Sequence, residues 1–424
     1  MQRNIRLKIQ IKTIHTEKWN DYNTPNKSQF FIVVLLLLLL LSCKDKKDFP
    51  KVLTIPIKDV TIRPLLSNDI FTQIEYIPLE TLPECLLVEN SMEVYATDKY
   101  IVTNNSMFRS GAYLFDRQTG KFLYEIGKKG QGPDEYNFIY PYPFNEEYEL
   151  FYVIRFLQRI GINIGTNKVV EKVFNPVSSN SVFDKINYLA TSIVNIFKMD
   201  SIHYIAYINN DSGDNPDLLV IFGQEGNIIK TYPNHQKYIK YIESISEFNP
   251  GIFYKYDNQL YFQEYFYNDT VFQINLDTIM PHIIFDLGKM KPNSLERQNN
   301  DYNKNCYWIE YVHETTNYIF FKYSSGSRYA IWDGYYDGYY NKETGELVAA
   351  LSISKELRGF VNENDIYPPF SIASINQSEE IIGIIPPTNM LDYIEKNKQI
   401  VYPSKLNSLQ VDDNPVIVIA KLKK

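Results

Sequence analysis

The chain has 424 residues, and 44% of them are hydrophobic, enough apolar mass for a large buried core. Its formal charge is −7 and no basic stripe stands out, which argues against nucleic acid as a partner. Aromatics reach 15%, from 35 Tyr, 25 Phe and 3 Trp, a composition that suits half-buried pleated surfaces.

The N-terminus reads as an address. Residues 1–42 carry Arg3, Arg6, Lys8, Lys12, Lys18 and Lys27 against Glu17 and Asp21. The apolar run Phe30 to Leu41 is too short for a spanning helix, which needs roughly 20 residues. It suits the hydrophobic region of a secretory signal, with Lys27 as the positive flank. The run ends in Leu40-Leu41-Ser42-Cys43, which resembles the bacterial lipobox. Cys43 is therefore the expected lipidation site and mature first residue, and two or more acyl chains there give stable anchoring. The stretch ahead of the run is long, so either the true start lies downstream of Met1 or the positive region is extended. The expected organisation is a signal peptide over 1–42, a lipidated Cys and tether over 43–50, and one domain over 51–424. Lys44 directly after the Cys favours the outer membrane. Cys85 and Cys306 remain, either as two buried thiols or as one bridge.

From Val52 onward short strands follow one another. "VLTIPI", "IEYIPLE", "YIVTNN", "AYLFDR" and "KFLYEIG" come first. "LLVIFG", "NIIKTYP", "QLYFQEYFY", "TVFQINL", "HIIFDLG", "YIFFKYS", "RYAIW", "LVAALSI", "EIIGIIPP" and "PVIVIAKLK" follow. Each is rich in Ile, Val, Tyr and Phe and is bounded by Gly, Asn, Asp or Pro. Only "PTNMLDYIEKNK", residues 387–398, reads as a helix. A strand–turn–strand unit recurs in "YLFDRQTGKFLYEIG", "LVIFGQEGNIIKTYP", "VFQINLDTIMPHIIFDLG" and "YYNKETGELVAALSI". In three of the four a Gly stands where a hairpin needs positive φ. Six four-stranded blades of roughly 60 residues fit the length of a β-propeller. The strand "PVIVIAKLK" is expected to close the ring in one blade with an N-terminal strand, for which "VLTIPI" is the candidate.

"IEYIPLETLPECLL", "YLFDRQTGKFLYEIGKKGQGPDEY", "YNDTVFQINLDTIMPHIIFDLGK" and "DNPVIVIAKLK" together resemble the six-bladed β-propeller lipoproteins common in Bacteroidota, related to NHL-type and TolB-like propellers. The resemblance covers most of residues 50–424. It implies an all-β fold of six four-stranded antiparallel blades, and export. It implies no reaction.

"EIGKKGQGPDEY" is glycine-rich but lacks the Gly-Lys-Ser/Thr of a phosphate loop, and no helix pattern follows it. Gly127, Gly130, Gly132 and Pro133 are expected to shape a loop between blades. Lys128 and Lys129 are the residues of that loop that could meet an anionic ligand. "HETTN" at 313–317 lacks the second His of a zincin, and "DSGDNPD" at 211–217 departs from a calcium loop at Pro216 and Phe222. No catalytic, metal-binding or cofactor motif emerges. The candidate ligand surface is "YAIWDGYYDGYYN", where Trp332, Tyr335, Tyr336, Tyr339 and Tyr340 surround two Asp-Gly pairs expected to be tight turns; exposed, these rings form a stacking surface, and packed between blades they are core. These readings favour a lipid-anchored envelope module that binds a glycan or an envelope protein, and is not an enzyme. The alternative is a polysaccharide hydrolase or lyase with carboxylates at the mouth of the channel.

Overall fold

The computed structural model describes residues 52–423, apart from 89–91, 106–110, 140–142, 157, 177–192, 241–250, 266–267, 297, 300–302, 327–331, 353–357 and 365. The signal, Cys43 and the tether lie outside the described residues.

Six antiparallel four-stranded sheets form a six-bladed propeller. Blade 1 contains Met92–Ala96, Tyr100–Asn105, Gly111–Asp116 and Phe122–Glu125. Blade 2 contains Phe144–Asn145, Leu150–Arg155, Gln158–Asn163 and Lys168–Phe174. Blade 3 runs from Ile193–Lys198 through His203–Ile208 and Asp217–Gly223 to Ile228–Pro233. Blade 4 runs from Gly251–Tyr256 through Gln259–Glu264 and Thr270–Ile274 to Ile279–Phe285. Blade 5 uses the longer strands Cys306–Glu314, Tyr318–Gly326, Trp332–Asn341 and Leu347–Ser352. Blade 6 combines Ile372–Ile375, Ile381–Ile385 and Val416–Leu422 with Phe71–Pro78 from the other end of the domain.

The hairpin glycines behave as expected: Gly120, Gly226 and Gly345 have φ of 69°, 80° and 74°. The expected helix forms over Pro387–Lys396, inside the excursion between the second and third strands of blade 6, where it buries Pro387 and Met390. Strand alternation gives each blade two apolar faces, so the core lies between blades. Leu114, Phe151 and Ile160 fill the space between blades 1 and 2, and Tyr254, Ile319 and Phe321 that between blades 4 and 5. Cys85 and Cys306 are separate buried thiols and form no disulfide with each other.

Ring closure differs from expectation in its strand. Val416–Leu422 pairs antiparallel with Phe71–Pro78, from Val416 opposite Pro78 to Lys421 opposite Gln73. "VLTIPI" instead adds a short parallel strand, Leu53–Ile55, outside blade 4, with Ile55 opposite Phe285. Pro56 has no N–H to continue a ladder, so this segment cannot supply a full closing strand. The chain then runs around the rim. Thr61–Ile62 pairs parallel with the outer strand of blade 5, and Leu65–Leu66 pairs with Phe360–Val361. Ile55, Ile57 and Leu65 are fully buried beneath this belt.

Candidate functional site

The inner strands surround an axial cavity of about 1000 Å³, to which all six blades contribute. Two-residue periodicity decides what faces it. In blade 3, Val194 and Ile196 enter the inter-blade cores while Asn195 and Phe197 line the cavity. Glu93, Asn145, Tyr254, Tyr311 and Ser374 represent the other blades in the wall.

At one end of the ring, the turns between first and second strands converge. The Thr316 N–H and hydroxyl of blade 5 both donate to Glu379 Oε1 of blade 6, at 2.7 Å each. Glu146 of blade 2 reaches past blade 1 and accepts the Gln377 N–H of blade 6 at 2.9 Å. Its neighbour Glu147 reaches past blade 3 and pairs with Lys255 of blade 4. One 3-10 turn, Glu146–Tyr148, thus leans over the axis and ties opposite sides of the mouth together.

This mouth is acidic. Burial, with Asp98 and Glu380 adding like charge, pushes the Glu146 carboxyl up to about 7. Glu380 itself is tied to Arg117 of blade 1, at 2.9 Å from each terminal guanidinium nitrogen. Deeper in, burial pushes His313 down to about 4, so it is neutral, with Tyr254 stacked 5.3 Å away and the Tyr311 hydroxyl 3.1 Å from Nδ1. Burial alone would raise Glu314, yet His282 and Lys342, each at 2.7 Å, hold it below its ordinary value. Two wall atoms stand out. Asn145 Nδ2 and Tyr254 OH are buried, and neither has a hydrogen-bond partner among the described residues. An unmet buried polar group costs about 1–3 kcal/mol, and because both atoms are closed off from the cavity space that cost sits within the folded wall.

The tyrosine-rich stretch differs from expectation in its turns, while most of its rings pack between blades. Its two Asp-Gly pairs are not turns: Trp332–Asn341 is one continuous strand, flanked by a partner on each side. Pairing on both edges overrides the local turn preference. Gly338 is required there because a Cβ would lie 2.5 Å from the Phe321 ring. Alternation then divides the aromatics. Tyr335 lines the axial cavity. Tyr336 stacks on Tyr323 with centroids 4.3 Å apart, and with Tyr340 packs toward blade 4. Tyr339 is buried toward blade 6, its hydroxyl 3.3 Å from Arg63 and 3.2 Å from Glu346. These rings therefore do not share one surface. The Trp332 backbone lies opposite Gly326, and its side chain falls outside the described residues.

Asp337, expected in a turn, is buried and bound to Arg358 Nε and the Ser371 hydroxyl. Arg358 also approaches the cavity-lining Glu310 at 3.4 Å. Burial would raise Asp337, but Arg358 and Lys322 hold its carboxyl below the usual range.

The glycine loop cradles its own carboxylate. The Gly132 N–H donates to Glu135 Oε2 at 2.8 Å, and Lys128 pairs with Glu135 at 2.7 Å. Gly127 takes positive φ, 69°, while Gly130 and Gly132 do not. Their missing side chains instead leave room for Glu135, which would lie 2.1 Å from a Cβ on Gly130. The Pro133 carbonyl accepts Lys172 at 3.0 Å. Lys128 and Lys129 are exposed at the end of the strands opposite the acidic mouth. The sequence reading missed Asn145, Glu146, Tyr254 and Glu379. "NEEYE" at 145–149 was the available signal for the second of these, an acidic turn that no pairing rule explains.

No curated protein matches the chain. Among solved structures it is similar to a "Putative exported protein" from Bacteroides fragilis NCTC 9343, with 17% identity and a TM-score of 0.62 over 88% of this chain and 100% of that one. It is also similar to a DUF4221 family member from Bacteroides vulgatus ATCC 8482, with 10% identity and a TM-score of 0.49 over 83% of this chain and 97% of that one. The first likeness supports the propeller fold. Residues 52–421 match the family described as Domain of unknown function (DUF4934), and the chain belongs to that family.

Proposed function

We propose that the chain is a lipid-anchored binding module of the cell envelope, and that its ligand, a glycan, occupies the axial cavity. The observation that carries this reading is the axial cavity of about 1000 Å³ to which all six blades contribute, where Glu93, Glu146 and Gln377 stand with aromatic side chains in one wall. Sugar hydroxyls would meet those polar side chains, while Phe144, Tyr256 and Tyr335 offer apolar faces to a pyranose ring. Export rests on the signal-like N-terminus and the anchor on Cys43. Incorporation of labelled palmitate into the wild type and its loss in Cys43→Ala tests the anchor.

The cavity is tested by binding of the purified protein to a polysaccharide panel, with product analysis on the same samples. Tyr335→Ala removes a cavity-lining ring and is expected to weaken binding about tenfold. Unchanged affinity in that variant sinks the cavity reading. Cleavage products would transfer the reading to a hydrolase or lyase, with Glu146, pushed up to about 7, as the candidate proton donor.

A further inference from the structure

We infer that the turn Glu146–Tyr148 is a proton-sensitive strap across the acidic mouth, closed while Glu146 is protonated and loosened once it is a carboxylate. Entry to the axial cavity is then under proton control whatever the ligand, which goes beyond the binding reading above.

The turn is held from outside more than from within. Asn145 supplies no side-chain cap, and Glu149 ends the turn in a left-handed conformation, φ 50° and ψ 39°. Its side chains reach three other blades. Glu146 accepts the Gln377 N–H of blade 6 at 2.9 Å, and Glu147 pairs with Lys255 of blade 4. The Tyr148 ring lies 4.8 Å from Lys198 Nζ of blade 3 and 5.8 Å from Lys255 Nζ. Glu146 and Glu147 also line the cavity. A ligand that enters at this end must displace those contacts.

Charge decides how firmly the strap is held. Glu146 faces Asp98 of blade 1 and Glu380 of blade 6, both of its own sign. Arg117 is bound to Glu380, Lys255 to Glu147, and Glu379 is turned toward Thr316. The Gln377 N–H favours the carboxylate, but burial and the two like charges outweigh that single neutral donor and push Glu146 up to about 7. As a neutral acid, Glu146 keeps an oxygen for the Gln377 N–H. As a carboxylate it gains by moving into water, away from Asp98 and Glu380, and the strap loses that leg. Glu147 is exposed, so the remaining ion pair to Lys255 holds the turn weakly.

The cavity holds its own reporter. His313 lines the wall, is half-buried, and uses Nδ1 on the Tyr311 hydroxyl, which leaves Nε2 without a hydrogen-bond partner among the described residues. Burial pushes the ring down to about 4, so it stays neutral between pH 6 and pH 8 and its reactivity toward an electrophile is constant. Diethyl pyrocarbonate acylates such a nitrogen: the Nε2–C bond forms, ethyl carbonate leaves, and the ring proton goes to solvent.

The test is the rate of His313 acylation in the purified protein at pH 6 and pH 8, read by mass spectrometry. Glu146→Gln is measured beside it and cancels the reagent's own pH dependence. Ionised Glu146 rises from about a tenth to about nine-tenths over that span, so the ratio of wild-type to variant rate is expected to rise about tenfold. Glu147→Gln cuts the other leg and is expected to speed acylation about threefold at pH 6. A ratio that is the same at both pH values overturns the proton switch. Unchanged acylation in Glu147→Gln overturns the strap, since the reagent then reaches His313 by another way. If alkylation of the fully buried Cys85 shows as steep a rise in the same ratio, the ring is unfolding and the strap is again overturned. No saccharide enters the experiment, so its failure leaves the glycan reading standing, and failure of the polysaccharide panel leaves the strap standing.

Discussion

Blades 4 to 6 and blades 1 to 3 share one architecture and treat their outer edges differently. The segment from Leu53 to Pro78 adds a parallel strand to blade 4 and another to blade 5, and supplies the fourth strand of blade 6. Lys58 pairs with Asp286 and Arg63 with Glu346 along the way, at 2.7 and 2.9 Å. Blades 1 to 3 end on Phe122–Glu125, Lys168–Phe174 and Ile228–Pro233, which pair on one side. Open edges invite pairing with other chains, and charge, proline and bulges discourage it. Lys168, Lys172, Lys230 and Pro233 sit on these strands, and each strand joins its neighbour through a register shift. One half of the ring is thus sealed by added strands, and the other by side chains and single contacts, such as the Phe122 N–H to Glu80 and the Phe174 N–H to the Gln224 carbonyl.

The largest expected effect lies under the sealed half. Arg358→Ala strands the buried Asp337 and is expected to cost about 3–5 kcal/mol, read by urea denaturation. Replacing both partners with Leu and Met is expected to restore most of the loss. A loss as large in the double variant would show that the charges, and not their burial alone, hold blade 5 to the segment after it.

The pair also marks the limit of the sequence. "RYAIW" at 328–332 lies outside the described residues as far as Ile331, and the other fourteen expected strands were legible because Gly, Asn, Asp or Pro bounded each one. The inner strands Ile193–Lys198, Gly251–Tyr256 and Cys306–Glu314 were not, because they alternate core and cavity residues. Asn195, Lys255 and Glu310 read as loop polarity until the ring closes around them. Asp337-Gly338 followed a sound local turn rule, and a partner strand on each side overruled it. The glycine loop was legible as structure, but the role of Glu135 was not, since its cradle needs the folded loop. The candidate site stayed hidden for a similar reason: Glu146 and Gln377 are bonded across 231 positions of sequence.

Next in size is the belt. Ile55→Ala is expected to cost about 2–4 kcal/mol, because the side chain is fully buried against blade 4. Hydrogen exchange is expected to accelerate in Ile279–Phe285 and to stay unchanged in Ile228–Pro233 of blade 3. Equal acceleration in both strands would mean that the ring opens as a unit and that the belt is not local to blades 4 and 5.

A smaller effect depends on pH. The folded protein raises Glu146 from its ordinary 4.5 to about 7, so the native state holds the proton more tightly than the unfolded chain. Its contribution is complete below about pH 4.5 and is lost as pH rises through about 7. Glu146→Gln is expected to flatten that slope and to leave the protein about 1–2 kcal/mol more stable than wild type at pH 8, after allowance for screening at a half-buried group. Calorimetric melting at pH 5 and pH 8 decides it. A wild type and variant that lose stability in parallel would place the pH dependence elsewhere.

The smallest effect on folding concerns blade 2, where Val170 and Phe174 are 56% and 45% exposed on the outer strand, the Phe174 N–H donating to the Gln224 carbonyl of blade 3 at 2.9 Å. Phe174→Lys is expected to change stability by less than about 0.5 kcal/mol, since an exposed ring gives up little burial. It is expected to raise the concentration at which the protein self-associates, because a further lysine on an edge strand penalises pairing with a second chain. Sedimentation velocity over a concentration series separates the two effects. If Phe174→Lys destabilises the monomer by more than the expected margin, that edge is packed and not bare. The contrast between the two halves would then rest on blades 1 and 3 alone.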